Sequence, residues 1–270
     1  MIRLLLVAVL CISSMQVFSE SNDEISTNCI AFIISEEYEE GLEWCLLAAA
    51  QGNVHEQLKL GVMHYKGQGF TQDYKKAIKW FTLAAEQGHA NAQHNLGVIY
   101  ENGQGVEQDY KQAVKWYTLA AKQGNSDAQF NVGVMYSNGQ GVTQDHKQEV
   151  KWYKLSAEQG DASAQFNLGV MYYNGQGVPQ DYKQAIKWFT LAAEQGHTGA
   201  QYNFGLLYGD GNGVLQDNVY AHMWLNIAAS NGSSKASNVR DIVAKRMTKE
   251  QIAEAQKLAR ECVAKEFKGC

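Results

Sequence analysis

The stretch NGQGVEQDYKQAVKWY, from Asn102 to Tyr117, sets two glycines one residue apart ahead of a basic, aromatic segment. Such glycines can cradle a phosphate, because backbone N–H groups without side chains approach an anion closely. The pair recurs as Gly67/Gly69, Gly103/Gly105, Gly139/Gly141, Gly175/Gly177 and Gly211/Gly213. A phosphate loop needs G-x-x-x-x-G-K-[ST] behind a strand. That motif does not occur, and no strand pattern precedes the pairs. The glycines therefore read as turns. His55-Glu56 begins like the zinc motif H-E-x-x-H, but Lys59 stands where the second histidine belongs. The seven histidines are scattered and no C-x-x-C exists, so neither a metal site nor a cofactor is expected. G-x-S-x-G and S-x-x-K are also missing, which leaves no catalytic residue to name.

The chain has 270 residues, 25 glycines, a single proline (Pro179) and a net charge of −5. Proline scarcity with abundant glycine suits many helices, each stopped by a glycine. The negative charge disfavours nucleic acid as a partner, because such binders neutralise phosphates with excess lysine and arginine. MIRLLLVAVLCISSMQVFSE places Arg3 before an apolar run from Leu4 to Ile12, with compact residues at Val17 and Ser19. This predicts a signal peptide over residues 1–19, cleaved after Ser19. The run is too short to span a bilayer comfortably, and no later segment reads as transmembrane. The mature chain is expected to be exported, periplasmic or secreted.

Of five cysteines, Cys11 falls in that leader. The remaining four lie two at each end, which favours local disulfides, Cys29–Cys45 and Cys262–Cys270. Eight residues of continuous helix would part the second pair by about 12 Å, too far for a bridge. The helix must therefore end first, and Phe267-Lys268-Gly269 allows the turn. Free thiols, or a bond to another chain, are the alternatives for that pair.

The elements that position all of these residues repeat. Trp44, Trp80, Trp116, Trp152, Trp188 and Trp224 are all six tryptophans, each 36 residues from the next. Gly61, Gly97, Gly133, Gly169 and Gly205 keep the same step. Within a unit, Ala92, Leu96, Ile99 and Tyr100 stand at helical spacing, and Gly103 can end that helix. Asp109 is positioned as an N-cap, with Gln112 forming a capping-box-like pair. A second helix runs through Ala113, Trp116, Leu119 and Ala120 to Gly124. Two antiparallel helices of this kind bury their apolar faces only by stacking. The tryptophans are placed to pack between successive hairpins. Five repeats follow, 56–91, 92–127, 128–163, 164–199 and 200–235, after an atypical N-terminal capping hairpin over 20–55 and before C-terminal capping helices over 236–270. The copies differ: Glu56 and Glu149 replace alanine, His64 and His146 replace tyrosine.

The pattern A-x-x-x-L-G-x-x-Y, G-x-G-V-x-x-D-Y-x-x-A-x-x-W, A-A-x-x-G resembles the Sel1-like repeat, a relative of the tetratricopeptide repeat. The resemblance implies an all-α, right-handed α-α superhelix, or solenoid. It implies a non-enzymatic scaffold that binds a protein or peptide on its concave face, in the bacterial envelope or outside the cell. In peptide-binding relatives, an asparagine before the Leu-Gly pair bonds the peptide backbone. Here that place holds Asn95, Asn131, Asn167 and Asn203, with Lys59 in the first full copy. The preceding residues His94, Phe130, Phe166 and Tyr202 add an aromatic row. Tyr65 and Tyr173 extend that surface. The other reading makes these asparagines ties between helices and the aromatics core. A cysteine-rich branch of the family implies a different function, a cell-wall or β-lactam-interacting protein with weak β-lactamase-like hydrolase activity. Its cysteine pairs recur in nearly every repeat, whereas this chain keeps cysteines at its ends.

Overall fold

An aspartate starts each second helix, and a glycine ends each first one. The computed structural model describes residues 45–69 and 71–270. The signal stretch, most of the expected N-terminal hairpin, Cys29 and Trp44 lie outside the described residues. Cys45, the expected partner of Cys29, is fully buried and disulfide-bonded. Among the described residues the regular elements are all helices. The described residues divide into two compact units, the first ending at Gln123 and the second running Gly124–Cys270.

In the first unit, α1 (Val54–Lys66) pairs with α2 (Tyr74–Glu86), and α3 (Ala90–Asn102) with α4 (Tyr110–Lys122). In the second, α5 (Ser126–Asn138) pairs with α6 (His146–Glu158) and α7 (Ala162–Asn174) with α8 (Tyr182–Ala193). There α9 (Thr198–Asp210) pairs with α10 (Asn218–Ser230), and α11 (Ser234–Ala244) and α12 (Lys249–Ala264) both pack on α10. Each unit is thus a stack of helix hairpins, the arrangement of a helical-repeat solenoid.

The corner between helices is built from backbone bonds. Gly103 takes φ 66°, a left-handed conformation that costs a Cβ-bearing residue energy, and its N–H closes on Ile99 O. Asp109 then caps α4 by accepting from Lys111 N and Gln112 N. The expected capping-box pair with Gln112 is only half formed. The return bond has no donor, because Asp109 N–H is already given to Tyr100 O at 2.9 Å. A full box forms instead at Thr248 and Gln251, at the start of α12.

Packing within a hairpin centres on the glycine ladder. A Cβ on Gly133 would lie 2.6 Å from the ring of Tyr153, and one on Gly169 2.6 Å from the ring of Phe189. The same approach joins Gly61 to Phe81, Gly97 to Tyr117 and Gly205 to Leu225. Between hairpins, the second helix of one copy shares a core with the first helix of the next. In the second unit that core joins Val150, Tyr153 and Ala157 of α6 to Ala164, Leu168 and Met171 of α7, and Trp188 of α8 completes it. In the first unit, Trp116 packs in the same way against Phe81, Leu96 and Ile99.

The C-terminal end closes on itself. After α12, Glu266 and Phe267 adopt φ 52° and 66°, which turns the chain back. Cys270 thereby comes within 5.6 Å of Cys262, Cα to Cα, and the two form a disulfide. Phe267 packs against the core of the last hairpins.

Two substitutions test this packing by urea denaturation. Gly133→Ala forces the Tyr153 ring aside and is expected to cost about 1–3 kcal/mol. Trp188→Ala removes a buried side chain shared by three helices and is expected to cost about 3–5 kcal/mol.

Candidate peptide interface

The recurring asparagines sit on first helices, Asn95 on α3, Asn131 on α5, Asn167 on α7 and Asn203 on α9, and all four are half-buried. The aromatic residue before each leans on the hairpin's own inner ring. Centroid distances are 5.6 Å for His94–Tyr117, 5.5 Å for Phe130–Tyr153 and 6.0 Å for Phe166–Phe189. Phe166 also stacks on His197 at 4.5 Å. Tyr202 packs against the core around Ala221 and Leu225. These rings are walls of the fold as well as surface.

The departures between copies come in pairs. In the first copy Lys59 bonds Glu56 at 2.8 Å, and the Glu56 side chain is 1% exposed. Alanine and asparagine at these two places have been exchanged together for an acid and a base, so the buried carboxylate has its partner. In the third copy His146 Nδ1 meets Glu149 Oε2 at 2.7 Å, again joining two departures. The sequence displayed each change but not the pairing.

A ladder of buried glutamines runs through the first helices. Gln57, Gln93, Gln129, Gln165 and Gln201 are buried, one on each first helix. Gln165 Nε2 donates to Ala157 O of the preceding helix at 3.1 Å, and Gln93 Nε2 to Ala85 O at 3.1 Å. Each amide oxygen accepts from the end of its own hairpin: Gln195 reaches Gln165 at 2.8 Å, and Gln123 reaches Gln93 at 2.7 Å. In these copies one polar side chain ties its own hairpin to its neighbour, whereas Gln201 accepts from Asn231 at 2.9 Å and its Nε2 makes no hydrogen bond among the described residues. The signal was present in the 36-residue period of the glutamines. By type alone glutamine reads as a surface residue, so the period does not itself imply burial.

The rings beside these asparagines differ. Burial pushes the Tyr153 phenol up, and the neighbouring Asn167 amide opposes that shift. In the first unit the matching ring is Phe81, which has no hydroxyl, and Asn95 has no hydrogen bond among the described residues. Asn95 lines a cleft of about 280 Å³ with Val62, Tyr65, Lys66, Phe81 and Val98. Tyr65 forms one wall, held by its hydroxyl donating to Gln104 Oε1 at 2.9 Å.

That bond also settles what the glycine-rich corner does. Gln104 receives Tyr65, and a Cβ on Gly105 would lie 2.6 Å from Tyr74 Cβ. The corner is packed against the preceding hairpin rather than open to an anion. Among the described residues no group of three potential metal ligands occurs, and no helix is long and apolar enough to cross a membrane. Burial pushes His64, His89, His197 and His222 below the ordinary imidazole value of 6.5. His55 beside His89 and Arg240 near His222 push the same way, while Asp161 and Asp241 oppose at His197 and His222.

A family model, the Sel1 repeat, matches residues 33–53, 57–89, 90–125, 126–161, 162–197 and 198–233. Among solved structures, a Sel1 repeat protein from Oxalobacter formigenes is 32% identical, covers 80% of this chain and 86% of its own, and superposes with a TM-score of 0.72. A protective antigen of uropathogenic Escherichia coli strains, displaying an SLR fold, is 33% identical with a TM-score of 0.56. That alignment covers 84% of this chain and 57% of the antigen. A search of curated proteins finds no match.

Gln165→Ala removes two hydrogen bonds, to Ala157 O and from Gln195 Nε2, and is expected to cost about 1–3 kcal/mol in urea denaturation. The histidines predict a pH dependence. Their folded values lie below the unfolded one, so the unfolded chain binds more protons as pH falls through 6.5. Stability is complete above that pH and declines below it. Melting temperatures measured from neutral to mildly acidic pH should fall accordingly, and a flat profile would contradict the assignment.

Proposed function

Because the chain belongs to the Sel1 repeat family, we propose that it is a non-enzymatic scaffold holding a protein or peptide along its first helices, in the bacterial envelope or outside the cell. The Sel1 repeat is a protein-interaction fold, and family membership supplies the general class of function. The observation that carries the specific reading is the cleft at Asn95. It offers an apolar floor, Val62, Phe81 and Val98, beside an amide that can both donate and accept. Large aromatic side chains line the same helices at regular spacing, as partner surfaces require.

Export is supported by the N-terminal leader pattern and by the Cys262–Cys270 disulfide, which persists in oxidising compartments. A relative described as a protective antigen fits a protein encountered outside the cytoplasm. The net charge of −5 favours a protein partner over nucleic acid.

Affinity capture with the chain lacking residues 1–19 identifies the partner, and hydrogen exchange of the complex locates it. Protection is expected on α1, α3, α5, α7 and α9. Protection confined to the second helices would sink the proposal. Turnover of a chromogenic β-lactam above a heat-inactivated control would overturn its non-enzymatic part.

A further inference from the structure

The segment after α12 folds back over the last hairpins of the second unit. Glu266 and Phe267 take left-handed backbone there, φ 52° and 66°, the only residues with a Cβ to do so among the described residues. That conformation is disfavoured and persists only where the surroundings fix it. Within the turn, Phe267 N donates to Cys262 O at 2.9 Å. Phe267 itself is half-buried, and a Cβ on Gly196 would lie 3.5 Å from its ring. Glu194 Oε1 accepts from Gly269 N at 3.3 Å, a long bond. Glu266, Lys268 and Gly269 are exposed. The covalent tie is the bridge from Cys270 to Cys262.

This segment does not fill the space it covers. A cleft of about 160 Å³ lies beside it, walled by Ile186 and Thr190 of α8, Phe204 and Tyr208 of α9 and Trp224 of α10. Phe267, Gly269 and Cys270 complete the lining. The aromatic walls belong to one stacked row. Phe204 lies 5.1 Å from Trp224 and 6.4 Å from Tyr208, and Tyr208 lies 5.2 Å from Tyr220, centroid to centroid. The two cysteines differ in access: Cys262 is 3% exposed, whereas Cys270 is half-buried. A reductant therefore reaches the bridge at Cys270.

We propose that residues 265–270 are a redox-released strap: the closed Cys262–Cys270 bridge holds them over the aromatic cleft, and reduction of that bridge uncovers it. The co-reactant is a dithiol. One of its sulfurs, as thiolate, attacks Cys270 Sγ; the S–S bond breaks and its electron pair leaves with Cys262 Sγ, which takes up a proton. The second sulfur of the dithiol then displaces Cys270 Sγ, which is protonated in turn, and the dithiol departs as its own disulfide. Two electrons and two protons pass to the chain. Once the tie is gone, Glu266 and Phe267 can relax to ordinary backbone, which lifts the Phe267 ring from the Gly196 turn. The strap works in the same way whether or not the first helices hold a partner.

The test is hydroxyl-radical footprinting, read by mass spectrometry, on the chain lacking residues 1–19. Cys270→Ser opens this bridge and leaves the one at Cys45 in place. Labelling of Tyr208 and Trp224 is expected to rise about threefold or more in Cys270→Ser, because it follows the population of the uncovered form. The unsubstituted chain treated with dithiothreitol is expected to show the same rise. Tyr117, fully buried in the first unit, serves as the internal control in Cys270→Ser and should not change. Unchanged labelling at Tyr208 and Trp224 overturns the inference. A rise in Cys270→Ser that Tyr117 shares also overturns it, since that reports general unfolding. So does a Cys262–Cys270 bridge that dithiothreitol leaves intact in the folded chain, as read from its mass.

Discussion

The contact of an inner ring with a glycine backbone is the constraint from which the rest of this structure follows. Each hairpin closes by laying Phe81, Tyr117, Tyr153 or Phe189 on a first-helix glycine, where a Cβ would collide with the ring. Leucine does the same in the last hairpin, at Leu225. The ring fills the space a side chain would occupy, so the helix pair is close and its spacing is set by one flat surface. With that spacing set, the tryptophan of the next second helix reaches the shared core.

Stacking apolar faces alone would leave neighbouring hairpins free to slide. The glutamine ladder limits this by pairing a buried amide with a carbonyl on one side and a second amide on the other. Buried polar groups that are fully satisfied specify one arrangement, because any slip strands a desolvated donor or acceptor. The same rule explains the paired departures. Glu56 is tolerated inside because Lys59 arrives with it, and Glu149 because His146 does. Variation between copies is thus constrained in couples, while the side-chain contact on the ladder glycine is kept throughout.

Much of the fold was readable from residues alone. The 36-residue tryptophan step, Asp109 as a helix start and Gly103 as a helix stop all follow from local rules, and each has its counterpart in the structure. Reading Gln112 as half of a capping box failed for a non-local reason. The Asp109 N–H is claimed by Tyr100 across the corner, and no rule about neighbours in sequence includes that acceptor. The helix end before Cys270 was inferred from reach, and the turn at Glu266 and Phe267 supplies it. The glutamines escaped notice because composition assigns them to solvent.

By itself the sequence determined the repeat, its all-helical nature and the absence of a recognisable catalytic motif, since these depend on period, capping and spacing along the chain. It also placed four asparagines in one register and made them equivalent. Only the tertiary structure separated them. Asn95 and Asn167 occupy the same place in their copies, yet Asn95 shares a cleft with Phe81 and Asn167 neighbours the phenol of Tyr153. A side chain's surroundings are decided by which atoms meet in space, and here the atoms that meet belong to different hairpins.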